Sequence, residues 1–208
     1  MTAKSDQYAG QAEEWTERAY ADAAAYLSHR ADLIVRLGSR LQAGDEVLDL
    51  ACGDAGLGEL LLDRGLRYRG VDSTPEMVVE AQRRLGDRAA IEVGDLNDYA
   101  PPAPVAATTV FRAIYYARDR REFFRHVAGF TEKLVFDLNP RQYRLADVLA
   151  DLRAAGFGRV SLRPFFVPQT VTLPRPLIAL AKALERSGPL ARLALRVRFT
   201  YLVAASRS

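Results

Sequence analysis

The sequence has one cysteine, Cys52, and two histidines, His29 and His126, among its 208 residues. A single cysteine excludes an internal disulfide framework and is typical of a protein in a reducing cytoplasm, the location we predict. No group of His, Cys and Asp residues has the spacing of metal ligands, so we expect no bound metal. The uncharged runs are too short to span a bilayer, and the first ten residues lack the apolar core of a signal peptide. We therefore expect neither a transmembrane segment nor a secretory leader.

Acidic residues are almost missing from the last quarter of the chain. Residues 1–158 carry 20 basic and 25 acidic side chains, whereas residues 159–208 carry nine basic side chains and one acid, Glu185. Such a segment is typical either of a solvated face or of a surface that contacts an acidic partner. No nucleic-acid-binding motif accompanies the arginines. This disfavours nucleic acid as a partner and leaves peripheral membrane contact through this basic, apolar part as one interpretation.

Short apolar runs alternate with amphipathic segments in the middle of the chain. The apolar runs are Glu46–Leu50, Tyr68–Val71, Ala89–Val93, Val105–Phe111 and Lys133–Leu138, and the helix-like segments lie near Leu57–Arg64, Pro75–Leu85, Arg120–Phe130 and Tyr143–Ala155. Alternation of this length predicts right-handed βαβ units and a parallel sheet with helices on both faces. The predicted fold class is therefore α/β.

The two ends of the chain depart from this alternation. Residues 8–42 have apolar side chains at three- and four-residue spacing, which predicts an N-terminal helical cap. After a strand in "RVSLRPFFVPQT", the segment "LPRPLIALAKALERSG" predicts a helix, and "LARLALRVRFTYLVAASRS" alternates like a last strand. We therefore expect a helical insert before the last strand.

The segment "VLDLACGDAGLG", residues 47–58, joins an apolar strand to a helix through a turn of small residues. It is a degenerate G-x-G-x-x-G motif in which Ala51 takes the place of the first glycine. A dinucleotide would place its pyrophosphate at the helix N-terminus and a ribose on Asp72. A ligand with an ammonium group and no phosphate would instead be matched by Asp49 and Asp54. A turn that serves only strand–helix packing is the third interpretation.

Acids follow each of the first three predicted strands, which favours the ligand without phosphate. Asp49, Asp72 and Asp95 would all lie at the carboxyl edge of the sheet, where open α/β folds bind ligands. Asp72 can accept two hydrogen bonds from a ribose diol. Asp95 can accept from an adenine amino group while the Leu96 amide donates to the ring. The sequence lacks a Tyr-x-x-x-Lys pair, which argues against an NAD-dependent dehydrogenase.

Taken together, these segments resemble the class I S-adenosylmethionine-dependent methyltransferases over roughly residues 40–160, with a further strand at 194–204. "VLDLACGDAGLG" is similar to the first motif of that family, "GVDSTPEM" to the second and "VGDL" to the third. Ala51 and Ala55 stand where the commonest form has glycines. The resemblance implies a doubly wound, seven-stranded, mostly parallel sheet with an antiparallel last strand. It also implies S-adenosylmethionine as cofactor and S-adenosylhomocysteine as product.

The resemblance assigns expected roles within a single domain over 1–208. The parts of this domain are an N-terminal helical cap at 1–42, a cofactor-binding core at 43–160 and C-terminal strands with a helical lid insert at 161–208. The expected cofactor-binding residues are Tyr20, Asp49, Ala51, Gly53, Asp72, Ser73, Met77, Asp95, Leu96 and Phe111. The segment "FRAIYYARD" after the fourth strand is expected to face the methyl group, which makes Arg112, Tyr115 and Tyr116 the candidate catalytic residues.

The acceptor is the least specified part of the prediction. The basic, apolar tail favours a small-molecule acceptor that is hydrophobic or anionic, such as a natural product, a glycan or a lipid-linked compound. Two alternatives stay open. One is an RNA or protein methyltransferase that uses the Arg-rich C-terminal face. The other is a nucleotide-binding Rossmann protein without catalysis, since no catalytic base is identifiable.

Two segments outside the alternation are predicted to close the site. We hypothesise that Tyr8–Arg30 and the insert Pro174–Gly188 together form a lid over the acceptor, because the sheet alone leaves its ligand edge open to water. Within this lid we expect Trp15 and Tyr20 to approach the cofactor.

Overall fold

The computed structural model describes residue 16, residues 19–197 and residues 200–207. Seven strands form a sheet in the order β3-β2-β1-β4-β5-β7-β6. The strands are β1 (Glu46–Leu50), β2 (Arg67–Asp72), β3 (Ala90–Val93), β4 (Ala107–Val110), β5 (Lys133–Leu138), β6 (Arg159–Pro164) and β7 (Tyr201–Ser206). Strands β1 to β5 pair in parallel, and β7 runs antiparallel to both of its neighbours, β5 and β6. The predicted α/β fold, with its antiparallel last strand, is confirmed.

Helices cover both faces of this sheet. They are α1 (Ala23–Arg36), α2 (Gly56–Leu62), α3 (Pro75–Leu85), α4 (Arg120–Ala128), α5 (Leu145–Ala154), α6 (Arg175–Leu184) and α7 (Gly188–Arg196). Apolar residues of α1, α2 and α3 form the core on one face, and those of α4, α5 and α7 form the core on the other. Asp22 caps α1 by accepting from the Ala25 amide, and Asp119 caps α4 by accepting from the amides of Arg121 and Glu122. These two layers confirm the doubly wound arrangement.

The two ends of the chain differ in detail from the prediction. The chain leaves α1 at Arg36 and turns at Gly38, where φ is +72°, so residues 37–42 do not continue the helix. The sequence predicts a last strand from residue 194, but α7 occupies Gly188–Arg196 and β7 begins only at Tyr201. The segment "GPLARLALR" is rich in strong helix formers, and its proline lies in the first turn, where a missing N–H costs no hydrogen bond. The insert therefore contains two helices.

Lys133, the first residue of β5, holds the end of α1 on the sheet. Its buried Nζ donates to the carbonyl oxygens of Ile34 at 2.7 Å and Ser39 at 2.6 Å. Burial lowers the pKa of this ammonium group to about 8. The anchored helix brings Leu27 and Arg30 to the carboxyl edge of the sheet. In the described ranges, no helix is long and apolar enough to cross a bilayer.

Candidate active site

A cleft of about 700 Å³ opens at the carboxyl ends of β1, β2, β3 and β4. Every residue that the sequence predicts to bind the cofactor lines it, namely Tyr20, Asp49, Ala51, Gly53, Asp72, Ser73, Met77, Asp95, Leu96 and Phe111. The candidate catalytic residues Arg112, Tyr115 and Tyr116 line it as well. The fold thus brings the predicted residues to one place, while the role of each one stays a prediction.

The turn between β1 and α2 has a left-handed backbone. Ala51, Gly53 and Ala55 have φ values of +60°, +58° and +56°. For an alanine this conformation costs roughly 1–2 kcal/mol, so the flanking strand and helix must impose it. Gly56, the first residue of α2, is restricted for a different reason, because a Cβ there would lie 2.3 Å from Thr16 Oγ1. The backbone of the turn therefore adopts, at both alanines, a conformation that glycine usually occupies. At Gly56, the contact with Thr16 leaves no room for a side chain.

Asp54 ties this turn to its surroundings. It is buried and forms an ion pair with Arg84, whose Nη2 lies 2.8 Å from Oδ2. Thr16 donates to the same carboxylate from its amide at 3.0 Å and from its hydroxyl at 2.5 Å. Because the charge of Asp54 is already compensated by Arg84, Asp49 is the better candidate for a ligand ammonium group.

Asp49 is a buried carboxylate at the end of β1, on the wall of the cleft. The Tyr68 hydroxyl donates to its Oδ2 at 2.8 Å, and the Thr109 hydroxyl donates to its Oδ1 at 2.6 Å. Burial raises the pKa of Asp49 to about 6, although the bonds from Thr109 and Tyr68 and the charge of Arg30 act in the opposite direction. A bound ammonium group would stabilise the ionised form, so this position fits the amino-acid end of the predicted cofactor.

Asp72 ends β2 and contacts the same turn. Its Oδ2 accepts from the Gly53 amide at 2.9 Å, and its Oδ1 accepts from the Thr74 amide at 2.9 Å. Burial raises the pKa of Asp72, and the bonds from Thr74 and Gly53 oppose that shift. A carboxylate offers about four acceptor sites, so about two remain for a ribose diol. The geometry fits the predicted role and adds a second one, which is to hold the turn.

Asp95 follows β3 at the open rim of the cleft. It accepts from the amide and the side-chain nitrogen of Asn97, at 2.8 and 2.7 Å, and pairs with Arg118 at 3.2 Å. Slight burial would raise the pKa of Asp95, but the bonds from Asn97 and the charge of Arg118 outweigh it and keep this pKa below its usual value. Next to it, Leu96 and Met77 are buried and give this end of the cleft an apolar surface, which suits an adenine ring.

A second cavity of about 300 Å³ adjoins the cleft and shares Arg112 and Tyr115 with it. It lies beyond the ends of β5 and β6. Its other lining residues are Tyr26, Ile114, Asp137, Asn139, Gln142, Phe165, Val167, Pro168, Gln169 and Thr200. The sequence prediction named none of these as site residues, although Phe165, Val167 and Pro168 belong to the apolar tail that it linked to the acceptor. Asp137 lies near the end of β5 much as Asp49 and Asp72 lie near the ends of β1 and β2, so the same rule would have found it.

Arg30 and Asp137 lie where the two cavities meet. Arg30 Nη2 is 3.8 Å from Asp137 Oδ2, and Asp137 Oδ1 accepts from the Arg112 amide at 2.8 Å. The Arg30 guanidinium stacks on Phe111, at 4.2 Å from the ring centre, and donates to the Tyr26 hydroxyl at 2.9 Å. Its buried Nε has no hydrogen-bond partner in the part of the chain that the structure describes. A buried donor of this kind on the wall of a cleft is available to a ligand.

The insert supports α1 and does not line either cavity. None of residues 174–188 contributes to the cavity walls. Glu185, which follows α6, is buried, pairs with His29 Nε2 at 2.6 Å and accepts from the Phe166 amide at 2.7 Å. Of the segments predicted to form a lid, Tyr20 lines the cleft, the insert contacts α1 through Glu185 and His29, and Trp15 lies outside the described residues. The lid itself stays a prediction.

Comparison with known proteins finds methyltransferases among the proteins that are similar to this chain. A family model described as a methyltransferase domain matches residues 47–133, from β1 to the start of β5. Trans-aconitate 2-methyltransferase of Escherichia coli O157:H7 (strain EC4115 / EHEC) is 30% identical over 119 residues, which are 56% of this chain and 46% of that protein. An uncharacterized methyltransferase of Geobacillus thermodenitrificans is 32% identical over 79 residues, 38% of this chain and 37% of that protein. The chain thus spans less than half the length of these relatives.

A solved structure extends the likeness to the whole fold. The methyltransferase in complex with the Trm112 methyltransferase activator of Haloferax volcanii has a TM-score of 0.69 at 20% identity, covering 99% of this chain and 98% of that one. The family-model match over residues 47–133 and this fold are those expected of class I, Rossmann-like S-adenosylmethionine-dependent methyltransferases. The prediction of this family is confirmed, and with it S-adenosylmethionine as the family's cofactor.

Proposed function

We propose that this protein transfers a methyl group from S-adenosylmethionine to a small molecule bound in the second cavity. The observation that carries the proposal is that the two cavities are neighbours, since Arg112 and Tyr115 line both of them. Family membership supports a methyl donor in the larger cleft. A volume of about 300 Å³, at the lower end of the range for ligand pockets, supports a small acceptor. The relative named for trans-aconitate also acts, by its name, on a small molecule.

The residues that line the second cavity indicate more closely which kind of acceptor would fit there. One wall is apolar, with Phe165, Val167 and Pro168. The polar part of the lining includes the side chains of Asn139 and Gln142, which can donate and accept hydrogen bonds. We infer a partly apolar acceptor with polar substituents, and a hydroxyl as the group that is methylated beside Asp137.

The residues of this chain then have distinct tasks. When bound, S-adenosylmethionine would supply the methyl group, and the bond between this methyl group and the positively charged sulfur would break to leave S-adenosylhomocysteine. Asp49 would hold the amino-acid tail of this cofactor, and Asp72 would hold its ribose. Asp137 accepts the proton of the acceptor hydroxyl as that oxygen forms its bond to the methyl carbon. Tyr115 packs on Tyr116, with ring centres 4.4 Å apart, and places an aromatic side chain at the boundary of the two cavities, where it would limit access of water.

The test begins with methyl-labelled S-adenosylmethionine and fractionated metabolites, with mass spectrometry to identify a product heavier by one methylene unit. With that acceptor, Asp137→Asn is expected to lower kcat by about 10²–10⁴-fold, because general base catalysis contributes about this much. The KM and the affinity for S-adenosylhomocysteine should change little, since asparagine can still accept from the Arg112 amide. Asp147→Asn on α5, a carboxylate that lines neither cavity, is the matched control.

Three other outcomes of these experiments would each contradict a part of the proposal. An unchanged kcat for Asp137→Asn would remove Asp137 as the base. Label recovered in RNA or protein, and in no metabolite, would favour the alternative that uses the Arg-rich face. Tight binding of S-adenosylhomocysteine without transfer to any fraction would favour a nucleotide-binding protein without catalysis.

A further inference from the structure

Exposed apolar side chains are concentrated in one part of the chain. Nine large hydrophobic residues are exposed in the described ranges, and six of them lie between residues 171 and 197. These six are Val171, Leu177, Leu180, Leu184, Leu193 and Val197, with exposed fractions between 38% and 58%. Single exposed apolar residues are ordinary, but exposed apolar residues that recur along two consecutive helices, which only residues 185–187 separate, make this segment a candidate for an interaction surface. We call these six residues and the basic residues among them the C-terminal surface.

The helix α6 shows how this surface arises. Leu177, Leu180 and Leu184 follow one another at three- and four-residue spacing and therefore share one face of the helix. The inward side of α6 is a different face, because Ile178 packs on a small cluster that includes Phe165. No residue of α6 is fully buried. The leucine face is therefore not the face that holds the helix on the protein.

The charge of the C-terminal surface has one sign. Residues 171–197 contain five basic side chains, Arg175, Lys182, Arg186, Arg192 and Arg196, and one acid, Glu185. Glu185 is 2% exposed, and its carboxylate pairs with His29 and accepts a hydrogen bond from the Phe166 amide. The apolar residues are therefore interspersed with cationic side chains, and no exposed acid between 171 and 197 balances them.

We propose that the C-terminal surface binds an anionic membrane surface peripherally. Exposed leucines beside lysine and arginine are what an interfacial helix needs, because the apolar side chains enter the acyl boundary while the cations contact anionic headgroups. A second copy of this chain is disfavoured as the occupant, because it would bring five more positive charges against the same face. A nucleic-acid backbone would neutralise the cations but leave six apolar side chains without a partner.

The test is co-sedimentation of the whole protein with vesicles. Binding is expected to vesicles of phosphatidylcholine with one part in three phosphatidylglycerol, to be weaker by tenfold or more on pure phosphatidylcholine, and to fall in high salt. Leu177→Gln with Leu180→Gln removes apolar contact without a change of charge and is expected to weaken binding about tenfold or more. Arg192→Gln with Arg196→Gln is expected to weaken it roughly thirtyfold, since each cation near such a surface contributes about a factor of five.

Val79→Gln provides the matched control. Val79 is 59% exposed on α3, which packs on β2 and β3 at the opposite end of the sheet from β6 and β7. It should bind vesicles like the parent, and thermal unfolding should show that all variants are folded. The proposal is overturned by no binding to anionic vesicles, by equal binding to neutral ones, or by an effect of Val79→Gln equal to that of the leucine pair. Self-association or RNA binding that the leucine pair abolishes, without vesicle binding by the parent, would overturn it as well.

Discussion

Replacing Asp49 by asparagine should stabilise the ligand-free protein and weaken its binding of cofactor. In the folded chain the pKa of Asp49 rises from 3.8 to about 6, mainly through burial. A carboxyl whose pKa is raised on folding favours the protonated, folded state. Its ionisation, as pH rises from about 4 to about 6, therefore removes roughly 3 kcal/mol from the free energy of unfolding.

Asparagine at position 49 is neutral at every pH, so the free energy of unfolding of the variant does not include the loss caused by ionisation. At pH 7.5 we expect Asp49→Asn to raise the free energy of unfolding by up to roughly 3 kcal/mol, or about 2–4 °C in Tm for each kcal/mol in a chain of this size. The gain should be smaller than this limit because Tyr68 and Thr109 both donate to the carboxylate, and asparagine offers one acceptor oxygen. At pH 4 the parent is itself protonated at Asp49, so the difference should nearly vanish.

Cofactor binding should change in the opposite direction. A hydrogen bond to a charged group is worth about 1.5–3 kcal/mol, so the loss of Asp49 as partner of an ammonium group should lower affinity for S-adenosylhomocysteine roughly tenfold to hundredfold at pH 7.5. In the parent, the affinity should also fall as pH drops below 6, because protonation removes the same charge. The variant should lack this pH dependence.

Urea unfolding at pH 4 and 7.5, with calorimetric titration of S-adenosylhomocysteine between pH 5 and 8, measures both effects. Asp147→Asn, a substitution away from both cavities, should leave stability and affinity near those of the parent. A variant that is less stable than the parent at pH 7.5 and binds equally well would refute the reasoning. A stability gain that persists at pH 4 would show that its origin is not the ionisation of Asp49.

Two further substitutions test the support of the site. Asp72→Ala should lower the affinity for S-adenosylhomocysteine about a hundredfold and the free energy of unfolding by about 1–3 kcal/mol, because the amides of Gly53 and Thr74 lose their acceptor. If calorimetry finds an unchanged affinity, Asp72 stabilises the turn between β1 and α2 and does not bind the ribose. Gly58→Ala should cost about 1–3 kcal/mol in urea unfolding and weaken cofactor binding, because a Cβ at Gly58 would lie 2.6 Å from the ring of Tyr68, which holds Asp49. Gly188→Ala, where nothing lies within 4 Å, is its control, and equal effects of the two would contradict the steric explanation.

Sequence reasoning predicted the parts of the site that depend on strand ends. Asp49, Asp72 and Asp95 could be placed together because parallel strands bring their carboxyl ends to one edge. Asp137 follows the same rule and could have been included. Arg30 could not, because its position depends on where α1 packs, and α1 is fixed by long-range contacts such as the bonds from Lys133.

The remaining differences have a similar origin. The sequence "LARLALRVRFTYL" is compatible with either period of hydrophobicity, so the boundary between α7 and β7 was decided by packing. Ala194 is buried in α7, while β7 is buried along its whole length between two neighbours. Likewise, the left-handed backbone of Ala51 and Ala55 opposes local preference and reflects the constraint from β1 and α2.

The position of β7 determines the order in which the fold can be completed during synthesis. Among the described strands, β6 has β7 as its one neighbour, and β5 pairs with β7 on one side. Both therefore present unpaired backbone edges until residues 201–206 leave the ribosome. Exposed edges of this kind can pair with other chains. A nascent chain that already contains β1 to β5 can form the part of the cleft around Asp49, Asp72 and Asp95. The part of the second cavity that Phe165 and Thr200 line is completed only after the last strand has paired. The cofactor cleft can thus form before the acceptor cavity, and a chain that stalls between the two stages would have an open sheet edge beside a nearly finished cleft.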